Sequence, residues 1–142
     1  MDIAGLVGTS ASINALMGYV FWAVILAVSV VGSRGILVQG GHPVTEFTAG
    51  VPHGSDAYWR LNRAHINTLE NLPVFAAVVL AGAVSGESSD TFATLARVAV
   101  AARVAQSLVH LSSGSAMAIN VRATLYMVQL VCIAWMAGRI VL

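Results

Sequence analysis

A single stretch decides the fold class: residues 10–33 are SASINALMGYVFWAVILAVSVVGS and contain no charged side chain. An α-helix needs about 20 predominantly apolar residues to cross the hydrocarbon core of a bilayer. The run is longer than the apolar core of a signal peptide and no basic segment precedes it, so we expect it to be retained as a membrane helix. Arg34 ends the run, and the predicted first helix covers residues 10–34.

The rest of the chain has the same apolar character. Of its 142 residues, 58% are hydrophobic and only 9% are charged, whereas soluble domains carry about 25% charged residues. So few charged residues cannot cover a surface that faces water. The net charge of +1 argues against nucleic-acid binding. We therefore expect one domain, residues 1–142, that is an integral multi-pass membrane protein, of the cell membrane if the source is a bacterium.

Three more apolar segments follow a long loop that is marked by glycines and prolines. Helices are predicted over residues 56–84, 91–111 and 116–139. Ser55 or Asp56 is expected to cap the second helix, and Ser89 or Asp90 the third. The last two connectors are short, which favours antiparallel neighbours. The predicted fold is all-α, a four-helix bundle in the membrane.

Polar residues inside these segments are the informative ones, because an ionisable group at membrane depth is costly and marks a functional site by default. At about 100° per residue, the polar side chains of each of the last three helices share one face. The second helix contributes Arg60, Arg63, Asn67, Glu70 and Asn71, the third Arg103, Gln106, Ser107 and His110, and the fourth Arg122, Tyr126 and Gln129. Such stripes are expected to face one another or a wet cavity, not lipid.

These side chains indicate a small zwitterionic ligand with more than one carboxylate. Arginine binds a carboxylate through two parallel hydrogen bonds, and a carboxylate with amides suits an amine. No metal is predicted, because the loop histidines His42 and His53 lack cysteines or clustered carboxylates beside them. The single cysteine, Cys132, excludes a disulfide within the chain.

Residues 59–73, WRLNRAHINTLENLP, resemble the signature of the MAPEG family, the membrane-associated proteins in eicosanoid and glutathione metabolism. The core of this signature is Arg-Ala-x-x-Asn-x-x-Glu, found here at residues 63–70 and followed shortly by proline. The similarity extends over the whole chain, in length, helix number, long first loop, Arg34 at the end of the first helix, and the pair Arg122 and Tyr126.

The resemblance implies a homotrimer that binds glutathione, as co-substrate, between neighbouring subunits and admits lipophilic substrates from the bilayer. It implies that Arg122 is the catalytic residue and holds the thiol as a thiolate. A neighbouring arginine lowers the pKa of a thiol, and arginine itself stays protonated. The residues predicted to bind glutathione, from the resemblance and from the polar stripe of the third helix, are Arg34, Arg63, Asn67, Glu70, Arg103, His110 and Tyr126.

Some positions depart from the family pattern. Many relatives have a tyrosine where His110 lies, and a histidine or tyrosine where Gln106 lies. Ala123 replaces a serine of one branch, and the connector before Arg122 is longer than in some relatives. Glutathione binding is still expected, with His110 donating a hydrogen bond to the thiolate or titrating near neutral pH. The particular reaction is left open.

Two functional hypotheses follow. The first is a glutathione-dependent membrane transferase or peroxidase that acts on lipophilic electrophiles; the second is a non-catalytic lipid-binding scaffold of the same fold. Arg122 and Tyr126 favour the enzyme. A small ion conductor is a weaker third hypothesis, because the apolar second half of the second helix interrupts any polar path.

Structural roles compete with ligand binding at several of these positions. Glu70 is able to form an ion pair with Arg63 or with Arg103 instead of binding ligand. Arg60 is able to lie at the membrane interface. His65 points away from the polar stripe, and a packing role is favoured for it.

Overall fold

The computed structural model describes residues 3–48 and 51–142, with side chains from Ser10 onward. These residues form four long α-helices and a 3₁₀ turn, Val44–Glu46, and they include no β-strand. The helices are α1 (Ile3–Gln39), α2 (Asp56–Ser85), α3 (Asp90–Ser112) and α4 (Ala116–Val141). Each contains a segment long and apolar enough to cross a membrane. The prediction of an all-helical, multi-pass membrane protein is confirmed.

The helix ends follow local chemistry. The hydroxyls of Ser55, Ser89 and Ser115 each accept a hydrogen bond from the backbone N–H three residues later, which caps α2, α3 and α4. Gly86 ends α2 with a φ of 77° in the left-handed region, a conformation that glycine adopts without steric cost. These ends lie within two residues of the predicted ones.

The first helix is longer than predicted. It ends at Gln39 rather than at Arg34, and it begins before Ser10. Arginine is a good helix former, so the end of the apolar run at Arg34 marks a change of environment and not a break in the backbone. The break comes at Gly40 and Gly41, where Gly41 has a φ of 97°.

The half of the bundle distant from the long loop is packed with apolar side chains, and we call it the dry half. Its core is Ala15, Leu16, Tyr19, Phe75, Val79, Phe92, Ala96, Ala99, Cys132, Ile133 and Met136. Tyr19 stacks on Phe75 with 5.3 Å between ring centroids. Gly82 lies so close to Phe92 that an added Cβ would come within 2.5 Å of Cζ of the ring. The helices of this half are therefore in close contact around Phe92.

The half that carries the long loop is joined mainly by hydrogen bonds. The indole of Trp22 donates to the Ser107 hydroxyl at 3.2 Å, and the Tyr19 hydroxyl donates to the Thr68 carbonyl at 3.3 Å. Arg60 donates to the Leu111 carbonyl near the end of α3, at 3.3 Å. Polar groups in a membrane helix have to find partners inside the protein, and these bonds hold α1, α2 and α3 together around the polar stripes.

Candidate functional site

The polar stripes of α2, α3 and α4 converge on one cavity of about 350 Å³ in the loop half of the bundle. This volume falls at the small end of the range for small-molecule sites, about 300 to 1,000 Å³. The cavity is lined by Arg63, Asn67, Glu70, Arg103, Gln106, His110, Ile119, Arg122, Ala123 and Tyr126. The helical periodicity of the polar residues therefore correctly predicted which faces of α2, α3 and α4 meet.

All of the predicted site residues except Arg34 are among the described residues that line this cavity. Arg34 lies instead at the end of α1 facing the long loop. Its Nε donates a hydrogen bond to the Tyr58 hydroxyl at 2.7 Å, and its guanidinium lies 5.6 Å from the centroid of the Phe47 ring. Arg34 lines a separate cavity beside the long loop, together with Val31 and Phe47, and a role for Arg34 in ligand binding stays a prediction.

Arg122 is held on two sides by residues of α3. Its Nη1 donates to Nδ1 of His110 at 2.8 Å, and its backbone carbonyl accepts a hydrogen bond from Nε2 of Gln106 at 3.0 Å. Gln106 is in turn held by Nε2 of Gln129, which donates to its side-chain carbonyl at 3.1 Å. The catalytic candidate is thus the most thoroughly positioned arginine of the cavity.

Arg103 is the most deeply buried charge of the chain, with only 1% of its surface exposed. Its Nε and Nη2 atoms have no hydrogen-bond partner among the described residues. A guanidinium buried without a counter-charge is strongly unfavourable unless an anion or water satisfies it. Arg103 also lines the cavity, so it places a positive charge without an ion-pair partner among the described residues at the cavity wall.

The hypotheses that Glu70 forms an ion pair with Arg63 or with Arg103 are both wrong: neither pair occurs in the described part of the chain. The charged side chains of the lining are Arg63, Arg103 and Arg122 with Glu70, a formal net charge of +2. Such a cavity selects an anionic ligand.

One side of the cavity opens onto the flank of the subunit. Arg63 and Glu70 are exposed there, and Tyr126 is 40% exposed, although all three lie within membrane-spanning helices. Charged groups at this depth do not face lipid without a large cost. Within the described chain, no other element covers these side chains at this face.

Other polar residues of the stripes lie around the cavity without lining it. Arg60 donates to the Leu111 carbonyl and so contacts the end of α3; its position at the membrane interface stays a prediction. Asn71 is buried, with an Nδ2 atom that has no partner within the described ranges. No group of three or more His, Cys, Asp or Glu side chains suited to a metal occurs among the described residues.

Sequence reasoning missed the apolar part of the lining and the link between Gln106 and Arg122. Ile119 lies on α4 three residues before Arg122 and Ala123 lies next to it. A small or aliphatic residue on an apolar helix carries no signal that separates a cavity wall from a lipid-facing surface. The contact from Gln106 to a backbone carbonyl depends on the rotation of α3 against α4, which a polar stripe does not fix.

One of three comparisons with known proteins gave a match. The family model described as the MAPEG family matches residues 11–142. Searches of the curated proteins and of the solved structures gave no match. The matched region contains all the residues that line the cavity, so the likeness covers the site as well as the four helices.

Proposed function

The chain belongs to the MAPEG family of membrane proteins in eicosanoid and glutathione metabolism, and on that premise we propose that it is a glutathione-dependent transferase or peroxidase for lipophilic electrophiles. The observation that carries the proposal is the cavity in which three arginines and one glutamate meet at membrane depth. Glutathione is the co-substrate.

Charge complementarity supports glutathione in its thiolate form. At neutral pH the tripeptide has two carboxylates and one ammonium group, so ionising the thiol gives it a net charge of −2. The lining of the cavity has a net charge of +2. The thiol form would leave one positive charge of the lining uncompensated, so binding itself favours loss of the thiol proton.

The lining also matches the functional groups of the ligand. The Arg63 and Arg103 guanidiniums, which both line the cavity, suit the carboxylates. Glu70 and the nearby amide of Asn67 suit the ammonium group. Arg122 is left for the sulfur, where it would lower the thiol pKa below the value of about 8.5 that is usual for a free thiol.

Arg122 would therefore be the catalytic residue. Its permanent positive charge stabilises the thiolate, which is the nucleophile. The sulfur then forms a bond to an electrophilic carbon and displaces the leaving group, or attacks a peroxide oxygen and releases an alkoxide that takes up a proton. Ile119 and Ala123 form the apolar side of the cavity beside Arg122, where a lipophilic partner would lie.

We further propose that the chain acts as a homotrimer. A neighbouring copy would cover the exposed Arg63, Glu70 and Tyr126 and so remove charged groups from lipid. It would also bring its own Arg34 toward this cavity, since within one subunit Arg34 lies outside it. Native mass spectrometry of the detergent-solubilised protein tests the assembly; a monomer that retains activity contradicts it.

The proposed activity is tested by the ultraviolet difference spectrum of bound glutathione as a function of pH. The expected result is a thiolate band with an apparent pKa well below that of free glutathione, lost in Arg122→Leu. Arg97→Leu is the matched control, because Arg97 is exposed on α3 and donates only to Ala93 and Thr94 of its own helix. An intact assembly without any band overturns the proposal and favours the lipid-binding scaffold.

A further inference from the structure

The contact between His110 and Arg122 fixes the chemical state of the imidazole. Arginine is a donor only and stays protonated, so the Nδ1 atom that accepts from Arg122 Nη1 at 2.8 Å must carry a lone pair. The ring proton is then on Nε2 and the imidazole is neutral. A doubly protonated ring has no acceptor, and it would meet the guanidiniums of Arg60, Arg63 and Arg122 around it.

The backbone of Arg122 is held independently of its side chain. Gln106, which is one turn before His110 on α3, donates to the Arg122 carbonyl at 3.0 Å. Gln129 of α4 keeps the Gln106 amide in this orientation by donating to its oxygen at 3.1 Å. Both ends of Arg122 are thus fixed by one face of α3, and a flexible side chain is reduced to a narrow set of conformers.

We propose that His110 is a positioning residue, which directs the Arg122 guanidinium at the sulfur of the bound substrate by accepting a hydrogen bond from it. The inference rests on the proposed function. The expectation that His110 itself donates to the thiolate, through Nε2, stays a prediction; in the role proposed here the imidazole acts through Arg122.

The role follows from the cost of misplacing a catalytic group. A free arginine samples many rotamers, and a displacement of about 1 Å at a reacting centre is able to reduce a rate by about 10²-fold. A hydrogen bond from one Nη atom leaves the other nitrogens of the guanidinium for the sulfur while it removes this freedom. Binding of the rest of glutathione depends on Arg63, Arg103 and Glu70 and is not affected.

Two substitutions separate positioning from packing. His110→Phe keeps a planar ring and removes the acceptor; His110→Gln restores an acceptor oxygen that does not titrate. We expect His110→Phe to raise the apparent pKa of the bound thiol toward that of free glutathione and to lower kcat by about 10²-fold. We expect the Kd for glutathione to change by less than about threefold, and His110→Gln to restore most of the thiolate. His65→Phe is the control, because His65 is not among the lining residues described.

The outcomes distinguish this inference from the function on which it rests. A wild-type protein with no thiolate band overturns the proposed function, and the inference with it. A band with the same apparent pKa in wild type and in His110→Phe overturns the inference alone. So does a His110→Gln variant that behaves as His110→Phe does.

A measurement without glutathione tests the contact directly. In protein labelled with ¹⁵N-histidine, the His110 signals are those lost in His110→Gln. The expected result near pH 8 is a single tautomer with the proton on Nε2, which becomes a mixture in Arg122→Leu. A tautomer mixture in the wild type, or one unchanged by Arg122→Leu, overturns the inference.

Discussion

The two halves of α2 show how one helix serves two purposes. From Asp56 to Asn71 it carries a stripe of arginine, asparagine and glutamate that faces the cavity, while from Val74 to Ser85 it contains no ionisable side chain. The second part belongs to the dry half, and its Phe75 and Val79 side chains are fully buried there. The first part leaves charged groups without partners of opposite charge in the described chain.

The two parts of α2 belong to regions with different roles: the dry half contributes to stability, and the loop half contains the candidate site. A close-packed apolar interior is damaged by an added or a removed methyl group. A cavity that holds unpaired cations lowers stability and is retained for what it binds. Substitutions in the dry half are therefore expected to lower stability without changing the chemistry. Substitutions in the cavity are expected to change binding or chemistry, and removal of a buried unpaired charge there should raise the stability of the ligand-free protein.

The largest effect is expected from Arg122→Leu. Loss of the charge that stabilises the developing thiolate should reduce kcat by about 10² to 10³-fold, the range found when a single stabilising donor is removed from other active sites. The Tm in detergent should change little, because Arg122 is only half-buried. Steady-state kinetics and thermal unfolding of the same preparation measure both. A variant with more than a tenth of wild-type kcat contradicts the assignment.

Arg103→Met should have opposite effects on binding and on stability. Methionine fills a similar volume without burying a charge, so the ligand-free protein should become more stable by about 1 kcal/mol or more. Loss of the positive charge at the cavity wall should weaken glutathione binding by at least about tenfold. Arg97→Met, at an exposed arginine of the same helix, should change neither. If Arg103→Met destabilises the ligand-free protein, then Arg103 has a structural partner and is not held for the ligand.

The dry half is tested by a pair of glycine substitutions. Gly82→Ala places a methyl group 2.5 Å from the Phe92 ring, and the strain should lower the free energy of unfolding by about 1 to 3 kcal/mol. Gly138→Ala meets no described atom within 4 Å and should be neutral or stabilising by up to about 1 kcal/mol. Denaturant titration measures both. Glutathione affinity should be unchanged in each, and a loss of binding in Gly82→Ala alone would show that the two halves are coupled.

The smallest effect is expected at the α2–α3 turn. Hydrogen bonds from Ser89 hold the pKa of Glu87 below its ordinary value, with a smaller contribution from Arg139. A depressed carboxyl pKa contributes stability that is present above the ordinary pKa of glutamate and is lost as the pH falls through the folded value. Glu87→Gln should remove less than about 1 kcal/mol at neutral pH and flatten the acid limb of the unfolding profile. An unchanged acid limb contradicts this contribution.

The sequence sufficed for the features that depend on hydropathy and helical period. The four helices and the convergence of Arg63, Arg103 and Arg122 on one cavity follow from where charged residues are absent and from which face the remaining ones share. The features it did not supply depend on contacts between distant segments. Arg34 donates a hydrogen bond to Tyr58, which lies on the other side of the long loop. The sequence around Arg34 also did not indicate that the first helix continues to Gln39.

The hydrogen bond between Arg122 and His110 is another contact that the sequence did not predict. Both residues were predicted to lie in the site, but a polar stripe does not say which atom of one side chain faces which atom of another. Gly82 is similar: a glycine in an apolar helix is ambiguous until the ring of Phe92 is placed beside it.

The central claim, that the cavity of net charge +2 binds glutathione as a thiolate, is tested most directly by counting the protons released on binding. Calorimetric titration at pH 7 in buffers of different ionisation enthalpy gives this number for glutathione and for S-methylglutathione, which has no thiol proton. The account predicts release of about one proton per occupied site for glutathione and of none for S-methylglutathione. Binding of both ligands without proton release, or no binding of either, would contradict it.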